Sequence, residues 1–178
     1  MELTITRATG ADAEALGLVH AASWQEGYKG IVPEEFLRLF TPAARAEAFR
    51  QALPGAKEEY YLLRADDAPA GLAIVSASHD EDAPPSVGEL CAVYLHPDYW
   101  GTGASAALLG FCLDRLRAMG YASATLWVLE KNARARAFYE KNGFAPDGAE
   151  KTIDIRGPLV ELRYTALLVS PSPAARGT

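Results

Sequence analysis

Residues 90–143 constrain the fold more than any other part of this 178-residue chain. An apolar run, residues 90–95, precedes the segment Trp100-Gly101-Thr102-Gly103-Ala104-Ser105, where a helical pattern begins. Apolar residues then recur at helical spacing. These positions are Ala104, Ala107, Leu108, Phe111, Cys112, Leu116 and Met119. The order predicts a buried strand, a glycine-rich turn and a helix that packs on a sheet.

The glycine-rich turn has the chemistry of an anion site. Gly101 and Gly103 have no side chains, so the backbone N–H groups can approach a bound anion closely. A helix that starts there adds about half a positive charge at its N-terminus. The turn therefore suits a pyrophosphate, although a simple turn into a helix is the alternative.

A second signal lies downstream, between Asn132 and Phe144. Asn132 is a strong helix N-cap, and Gly143 suits the left-handed position after a helix end. From Asn132 the sequence follows N-x-x-A-x-x-F-Y and reaches Tyr139. Taken alone, these residues are explained by helix ends and core packing.

The two signals together resemble the GCN5-related N-acetyltransferases, the GNAT family. The resemblance covers most of the chain, and its specific motifs are confined to residues 89–144. The family's loop is Q/R-x-x-G-x-G/A, whereas Trp100 and Ser105 stand at its ends here. The implied fold is of the α/β (α+β) class, with a central mixed, mostly antiparallel twisted sheet of about seven strands flanked by helices.

The resemblance implies acetyl transfer from acetyl-CoA to the primary amine of a small molecule, such as a polyamine, an amino acid or an antibiotic amine. A protein N-terminus or lysine as acceptor, and a noncatalytic CoA sensor, remain alternatives. The implied cofactor site comprises Val93, Tyr94, Leu95, Trp100, Gly101, Thr102, Gly103, Ala104, Ser105, Asn132 and Tyr139. In the family the strand before the loop splays from its neighbour, which would free backbone groups of residues 93–95 for the pantetheine arm. Lys131, Arg134 and Arg136 are either contacts of the 3′-phosphate or solvated charges.

Glu89 and Tyr139 are the predicted catalytic pair. A primary amine has a pKa of about 10 and is mostly protonated at neutral pH, so a base must take its proton. Glu89 lies on the strand that leads to the glycine-rich turn and is the best placed carboxylate; a solvated strand-edge glutamate is the alternative. The family's motif tyrosine, here Tyr139, lies near the thioester sulfur, where it either donates a proton to the thiolate or packs on pantetheine.

The predicted acceptor pocket is residues 20–33. This segment resembles the S-W-x-x-x-Y-x-G-I-x-P stretch of some bacterial family members. Trp24 and Tyr28 lie one helical turn apart and can hold the alkyl part or the cation of an amine. Core packing of both rings remains the alternative.

A dinucleotide site is a competing interpretation. Residues 101–106 also satisfy G-x-G-x-x-G/A, and Glu130 ends the next strand as a ribose acceptor would. However, residues 96–100 separate these glycines from their strand, and the Asn132 motif has no role in such a site. This placement disfavours a dinucleotide site.

Composition limits the partners. The net charge of −6 argues against nucleic acid, which needs a basic footprint. Cys91 and Cys112 are expected to be reduced core residues. The three histidines are scattered without partners at ligand spacing, so no metal site is expected. No signal peptide or long apolar segment is seen, which predicts a cytoplasmic protein with no membrane partner. A homodimer is possible, since the family often forms dimers.

We expect one domain over residues 1–169 and a disordered tail over 170–178. The predicted strands are 3–7, 59–65, 70–78, 87–95, 122–129, 144–151 and 159–168. Helices are predicted over 12–24 and 42–53, from Pro33, after the glycine-rich turn and after Asn132. The acidic stretch 79–86 is predicted to be a solvated loop.

Overall fold

The computed structural model describes residues 1–168, which form one seven-stranded sheet with helices packed on it. The strands are β1 (Leu3–Arg7), β2 (Glu59–Ala65), β3 (Ala68–Ala77), β4 (Val87–Leu95), β5 (Ser123–Leu129), β6 (Ala145–Asp154) and β7 (Pro158–Leu167). The helices are α1 (Ala13–Gly27), α2 (Glu34–Leu37), α3 (Pro42–Ala52), α4 (Ala104–Ala118) and α5 (Ala133–Lys141).

The sheet order is β1-β2-β3-β4-β5-β7-β6, and every neighbouring pair is antiparallel except β4 and β5. These two parallel strands pair only from Val87↔Ser123 to Glu89↔Thr125. Beyond Glu89 they separate, although β4 continues to Leu95 beside β3. The sheet therefore opens into a V at its centre, and the predicted fold class is confirmed.

The core has a layer on each face of the sheet. On one face, α4 buries Leu108, Cys112 and Leu116 against strand residues such as Leu63. On the other face, α1 packs with Leu62 and its strand neighbours. The predicted stripe on α4 needs one change, because Leu109 is buried whereas Ala107 is exposed.

A buried carboxylate ties three elements together at one end of this core. Glu59 on β2 accepts hydrogen bonds from Arg115 Nε at 2.6 Å and Nη2 at 2.8 Å, on α4. Arg7 on β1 lies 2.6 Å away, and Tyr61 Oη donates at 2.6 Å. The Arg115 bonds, more than any other contact, lower the pKa of Glu59 to about 2.

Several boundaries differ from those predicted. Helix α1 continues through Gly27. Strand β3 begins at Ala68 because the left-handed backbone angles of Asp66 and Asp67 complete the turn between β2 and β3. The loop 79–86 is anchored, because Arg163 donates to both Asp80 and Asp82.

The predicted tail, 170–178, lies outside the described residues. Within residues 1–168, no helix combines the length and apolar character needed to cross a membrane.

Candidate active site

The glycine-rich turn presents free backbone donors at the start of α4. Gly101 and Gly103 have φ of 77° and 90°, in the left-handed region that glycine tolerates best. Within residues 1–168, the N–H groups of Gly101, Gly103, Ser105 and Ala106 donate no hydrogen bond. These amides and the helix N-terminus form a site suited to a pyrophosphate.

Thr102 and Ala104 lie between these amides, and their side chains contact the rest of the protein. Thr102 Oγ1 donates to the carbonyl of Tyr99 at 2.7 Å, and Ala104 is fully buried in the core.

A groove of about 230 Å³ leads from this turn into the open V. Its lining is mainly apolar and comprises Val93, Leu95, Trp100, Gly101, Ser105, Arg134, Ala135, Phe138 and Tyr139. Free amides at one end and apolar walls along its length fit the phosphate and pantetheine parts of acetyl-CoA. The residues present therefore fit that cosubstrate.

The Trp100 side chain is held by the protein itself. Its Nε1 donates to the carbonyl of Leu95 at 3.1 Å, and the Arg134 guanidinium stacks 3.5 Å from the centre of its ring. The Leu95 carbonyl is thus already hydrogen-bonded within the protein, whereas the family resemblance predicts free backbone groups at all of residues 93–95.

A second cavity of about 280 Å³ lies beside the groove. Aromatic and charged side chains line it, among them Trp24, Tyr28, Glu89, Tyr94, Trp127, Tyr139, Lys151 and Glu161. The rings of Trp24 and Tyr28 lie 4.5 Å apart, and Trp24 stacks on Phe40 at 4.1 Å. Both rings also pack against buried Val32 and its neighbours. These aromatics are therefore core on one side and cavity wall on the other, and their role in holding an acceptor stays a prediction.

The groove and the second cavity share four residues, Val93, Arg134, Ala135 and Tyr139. Tyr139 packs edge to face on Phe138 at 5.4 Å and on Phe144 at 5.8 Å. Burial raises the pKa of Tyr139 well above its usual value, so the phenol stays protonated and remains a hydrogen-bond donor.

Glu89 is buried at the point where β4 and β5 separate, and it lines the second cavity. The solvated alternative is therefore wrong. Glu89 Oε2 accepts the backbone N–H of His79 at 2.8 Å and lies 3.1 Å from His79 Nδ1. The other ring nitrogen, Nε2, lies 3.4 Å from Glu58 Oε1. The expectation that the histidines lack partners is wrong for His79.

Cys91 lies beside this pair and is half-buried rather than in the core. One ligand-type atom from each of His79, Glu89 and Cys91 lies within 4.8 Å of the other two. However, burial raises the pKa of the Cys91 thiol to about 11, and its sulfur lies 3.2 Å from Ser76 Oγ. A metal binds the thiolate rather than the thiol, so the absence of a metal site stays our prediction.

The Asn132 motif caps α5 as expected, since Asn132 Oδ1 accepts the N–H of Ala135 at 3.1 Å. Asn132 lines the second cavity and is absent from the lining of the groove. Arg136 donates to Tyr164 Oη and to the carbonyl of Glu130, so it serves the protein's own structure. Lys131 is exposed.

Sequence reasoning missed several cavity residues. Tyr94 was named for its backbone, yet its side chain lines the second cavity. Glu161 belongs to β7, which lies next to β5, and Lys151 belongs to β6, which lies beyond β7. The two side chains form an ion pair at 3.5 Å. No local motif marks them, because the pairing of distant strands brings them to the site.

Comparison with known proteins agrees with this architecture. The profile of the acetyltransferase (GNAT) family matches residues 22–144. An uncharacterized N-acetyltransferase of Mycobacterium tuberculosis is 33% identical over 138 residues, which span 77% of this chain and 85% of the relative.

Two solved structures share the fold. The PaiA N-acetyltransferase of Thermoplasma acidophilum, in complex with coenzyme A, has a TM-score of 0.73 at 20% identity and covers 94% of this chain and 99% of its own. A ribosomal-protein-alanine N-acetyltransferase of Escherichia coli has a TM-score of 0.68 at 19% identity, with coverage of 99% and 100%. On the profile match and the sequence relative, the chain belongs to the GNAT family of acetyltransferases.

Proposed function

We propose that this acetyltransferase moves an acetyl group from acetyl-CoA to the primary amine of a small molecule by direct attack. The main support for this proposal is that the groove and the second cavity meet at Tyr139, which lines both. A cosubstrate in the groove and an amine in the second cavity would meet there without a covalent enzyme intermediate. Such positioning removes much of the entropic cost of a reaction between two molecules.

Acetyl-CoA supplies an activated thioester, and the chain's own groups hold it. The free amides at the start of α4 take the pyrophosphate. The apolar groove residues, including Val93 and Phe138, take the pantetheine arm. Backbone N–H groups of β4 on the open side of the V are suited to stabilise negative charge on the thioester oxygen.

Glu89 acts as the general base in this proposal. Its carboxylate lines the second cavity, where it attracts a protonated amine and takes one proton from it. The nitrogen lone pair then forms the N–C bond to the acetyl carbon. As the C–S bond breaks and its electron pair leaves with the sulfur, the second N–H proton leaves the nitrogen for the thiolate or for solvent, so the products are a neutral amide and a thiol.

Tyr139 assists the departing sulfur. Because its pKa is raised, the phenol stays protonated and donates a hydrogen bond to the thiolate, whereas the same rise disfavours full transfer of its proton. A thiolate is already a good leaving group, so the contribution of Tyr139 is smaller than that of the base.

The second cavity favours a small cationic acceptor. Its volume of about 280 Å³ is near the lower end of small-molecule sites. Glu161 is already paired with Lys151, which leaves the Glu89 carboxylate for an amine. This carboxylate and the rings of Trp24, Tyr28 and Tyr94 form a combination that suits an amine with an alkyl portion. A protein N-terminus or lysine is the alternative acceptor, and a noncatalytic CoA sensor is the alternative of another class.

The test is thiol release from acetyl-CoA with a panel of polyamines, amino acids, aminoglycosides, peptide N-termini and peptide lysines, with each product confirmed by mass. We expect turnover with at least one small amine. Glu89→Gln should lower kcat by at least about a hundredfold with CoA affinity nearly unchanged, and Tyr139→Phe by less than about a hundredfold. The exposed Glu47→Gln is the carboxylate control.

Turnover confined to peptides would replace the small-molecule proposal with the protein acceptor. Tight CoA binding without thiol release for any amine would support the sensor. If both variants kept the wild-type rate, the proton would pass directly to solvent and these two roles would be withdrawn.

A further inference from the structure

Glu89 is largely cut off from bulk water, so its proton needs a way out after each turnover. Its side chain is 11% exposed, whereas the neighbouring His79 side chain is 56% exposed. The imidazole lies between two carboxylates, with Nδ1 3.1 Å from Glu89 and Nε2 3.4 Å from Glu58. Glu58 is itself 30% exposed. The His79 imidazole therefore connects the buried Glu89 carboxylate to the solvent-exposed side, where Glu58 lies next to its other nitrogen.

We propose that His79 is a positioning residue that fixes the Glu89 carboxylate and carries its proton to Glu58 and to solvent. The proposal rests on the proposed role of Glu89 as the base. The backbone N–H of His79 also donates to Glu89 Oε2 at 2.8 Å, so one residue holds this oxygen through two groups. Oε2 therefore has a fixed direction, with His79 Nδ1 beside it.

The place of His79 is itself fixed by the next residue. Asp80 Oδ1 accepts a hydrogen bond from Trp127 Nε1 at 3.1 Å, and Asp80 Oδ2 lies 3.2 Å from Arg163 Nη1. These contacts tie the start of the loop 79–86 to β5 and β7. His79 therefore stands on an anchored segment although its ring reaches solvent.

The proton balance is simple. The amine N–H bond breaks and an O–H bond forms on Glu89. In the tautomer that carries its proton on Nε2, the His79 ring accepts the Glu89 proton at Nδ1. The resulting imidazolium releases the Nε2 proton to Glu58 or to water. Glu89 is then ionised again. The ring now carries its proton on Nδ1, and because its side chain is 56% exposed it returns to the Nε2 tautomer by proton exchange with water before the next turnover. No oxidant, reductant or further reactant is needed.

The experiment compares His79→Ala, His79→Asn and Glu58→Gln with the wild type over a series of imidazole concentrations. We expect His79→Ala and His79→Asn to lower kcat by at least about tenfold while the KM of the amine changes little. Asn keeps the backbone contact and a donor but cannot carry a proton. Added imidazole should restore part of the rate of His79→Ala. Glu58→Gln, which keeps the ring, should lower kcat less than either His79 variant.

Two controls separate the explanations. His96 also lies beside a carboxylate, that of Asp98, but it lines neither cavity. The rate of His96→Ala should therefore not respond to imidazole. Glu89→Gln should stay slow in imidazole, because the base itself is missing.

A wild-type kcat in His79→Ala would overturn the proposal while leaving the role of Glu89 intact. A folded His79→Ala that binds CoA normally, is slow and gains nothing from imidazole would also overturn it. A wild-type rate in Glu89→Gln would instead remove the base, and the proposal for His79 with it.

Discussion

Replacement of Gly101 by valine tests whether the glycine-rich turn holds the pyrophosphate. Gly101 has φ of 77°, and a Cβ built on it meets no atom within 4 Å. Valine is therefore not excluded by crowding in the free protein, but the left-handed angle costs an L-residue about 1–2 kcal/mol. Relief of that strain moves the amides of the turn, and the new side chain enters the space where the phosphates would lie.

The expected loss of affinity follows from the free amides. Hydrogen bonds to a charged group contribute about 1.5–3 kcal/mol each. Losing one such bond weakens CoA binding by about 10- to 150-fold, since about 1.4 kcal/mol corresponds to tenfold. Gly103→Pro removes one N–H outright at a residue with φ of 90°, which proline cannot adopt, so we expect at least a tenfold loss there as well.

Gly55 offers a matched control for the strain. Its φ is 79°, and a Cβ there also meets no atom within 4 Å, but it lies in the turn after α3. Calorimetric titration with CoA and urea unfolding are measured for both valine variants. Gly101→Val and Gly55→Val should lose similar unfolding free energy, and only Gly101→Val should lose affinity. Unchanged affinity in folded Gly101→Val and Gly103→Pro would refute the placement of the pyrophosphate.

Two further predictions concern the acceptor cavity and the stability of the fold. Trp24→Ala and Tyr28→Phe should raise the KM of the amine in steady-state kinetics and leave CoA affinity unchanged, as expected for lost substrate binding; earlier melting with an unchanged KM would assign both rings to the core alone. Folding lowers the pKa of Glu59 from 4.5 to about 2. The ionised carboxylate therefore adds to the free energy of unfolding fully above pH 4.5, and this stabilisation is lost as the pH falls towards 2. Urea unfolding of Glu59→Gln near neutral pH should show a loss of up to about 3 kcal/mol that shrinks on acidification, and a loss independent of pH between 5 and 2 would contradict the assigned cause.

The elements were readable from the sequence because local signals agree with the tertiary structure. Alternating apolar and polar residues predicted β1 at residues 3–7, and the apolar run before the glycine-rich turn marked β4, predicted at residues 87–95. Both strands have these bounds in the structure. The N-cap at Asn132 and the left-handed Gly143 bracket α5 as predicted. Boundaries were less certain: α1 ends three residues later than predicted, and β3 begins two residues earlier, directly after the turn at Asp66 and Asp67.

The site was readable only in part, because its members come from strands that are distant in sequence. Glu89 and Tyr139 could be named from one motif region, and both line the second cavity. The partnership of Glu89 with His79 and Glu58 could not be predicted, since it depends on where the loop after β3 lies. Glu161 likewise enters the cavity through the insertion of β7 between β5 and β6.

The short parallel seam between β4 and β5 has a consequence for cooperativity. Three register pairs join the half-sheet β1–β4 to the half-sheet β5-β7-β6. The core under α4 also joins them, because Leu126 of β5 and Tyr164 of β7 belong to the same buried cluster as the α4 residues. A ligand in the groove would touch β4 on one side and α5 on the other, and so would act as a cross-link between the two halves. At a hundredfold excess over its Kd, such a ligand adds about 2.7 kcal/mol of stability. Amides along the seam should then exchange with solvent more slowly in both the acetyl-CoA and the CoA complex, so that the sheet loosens only when the spent cosubstrate departs.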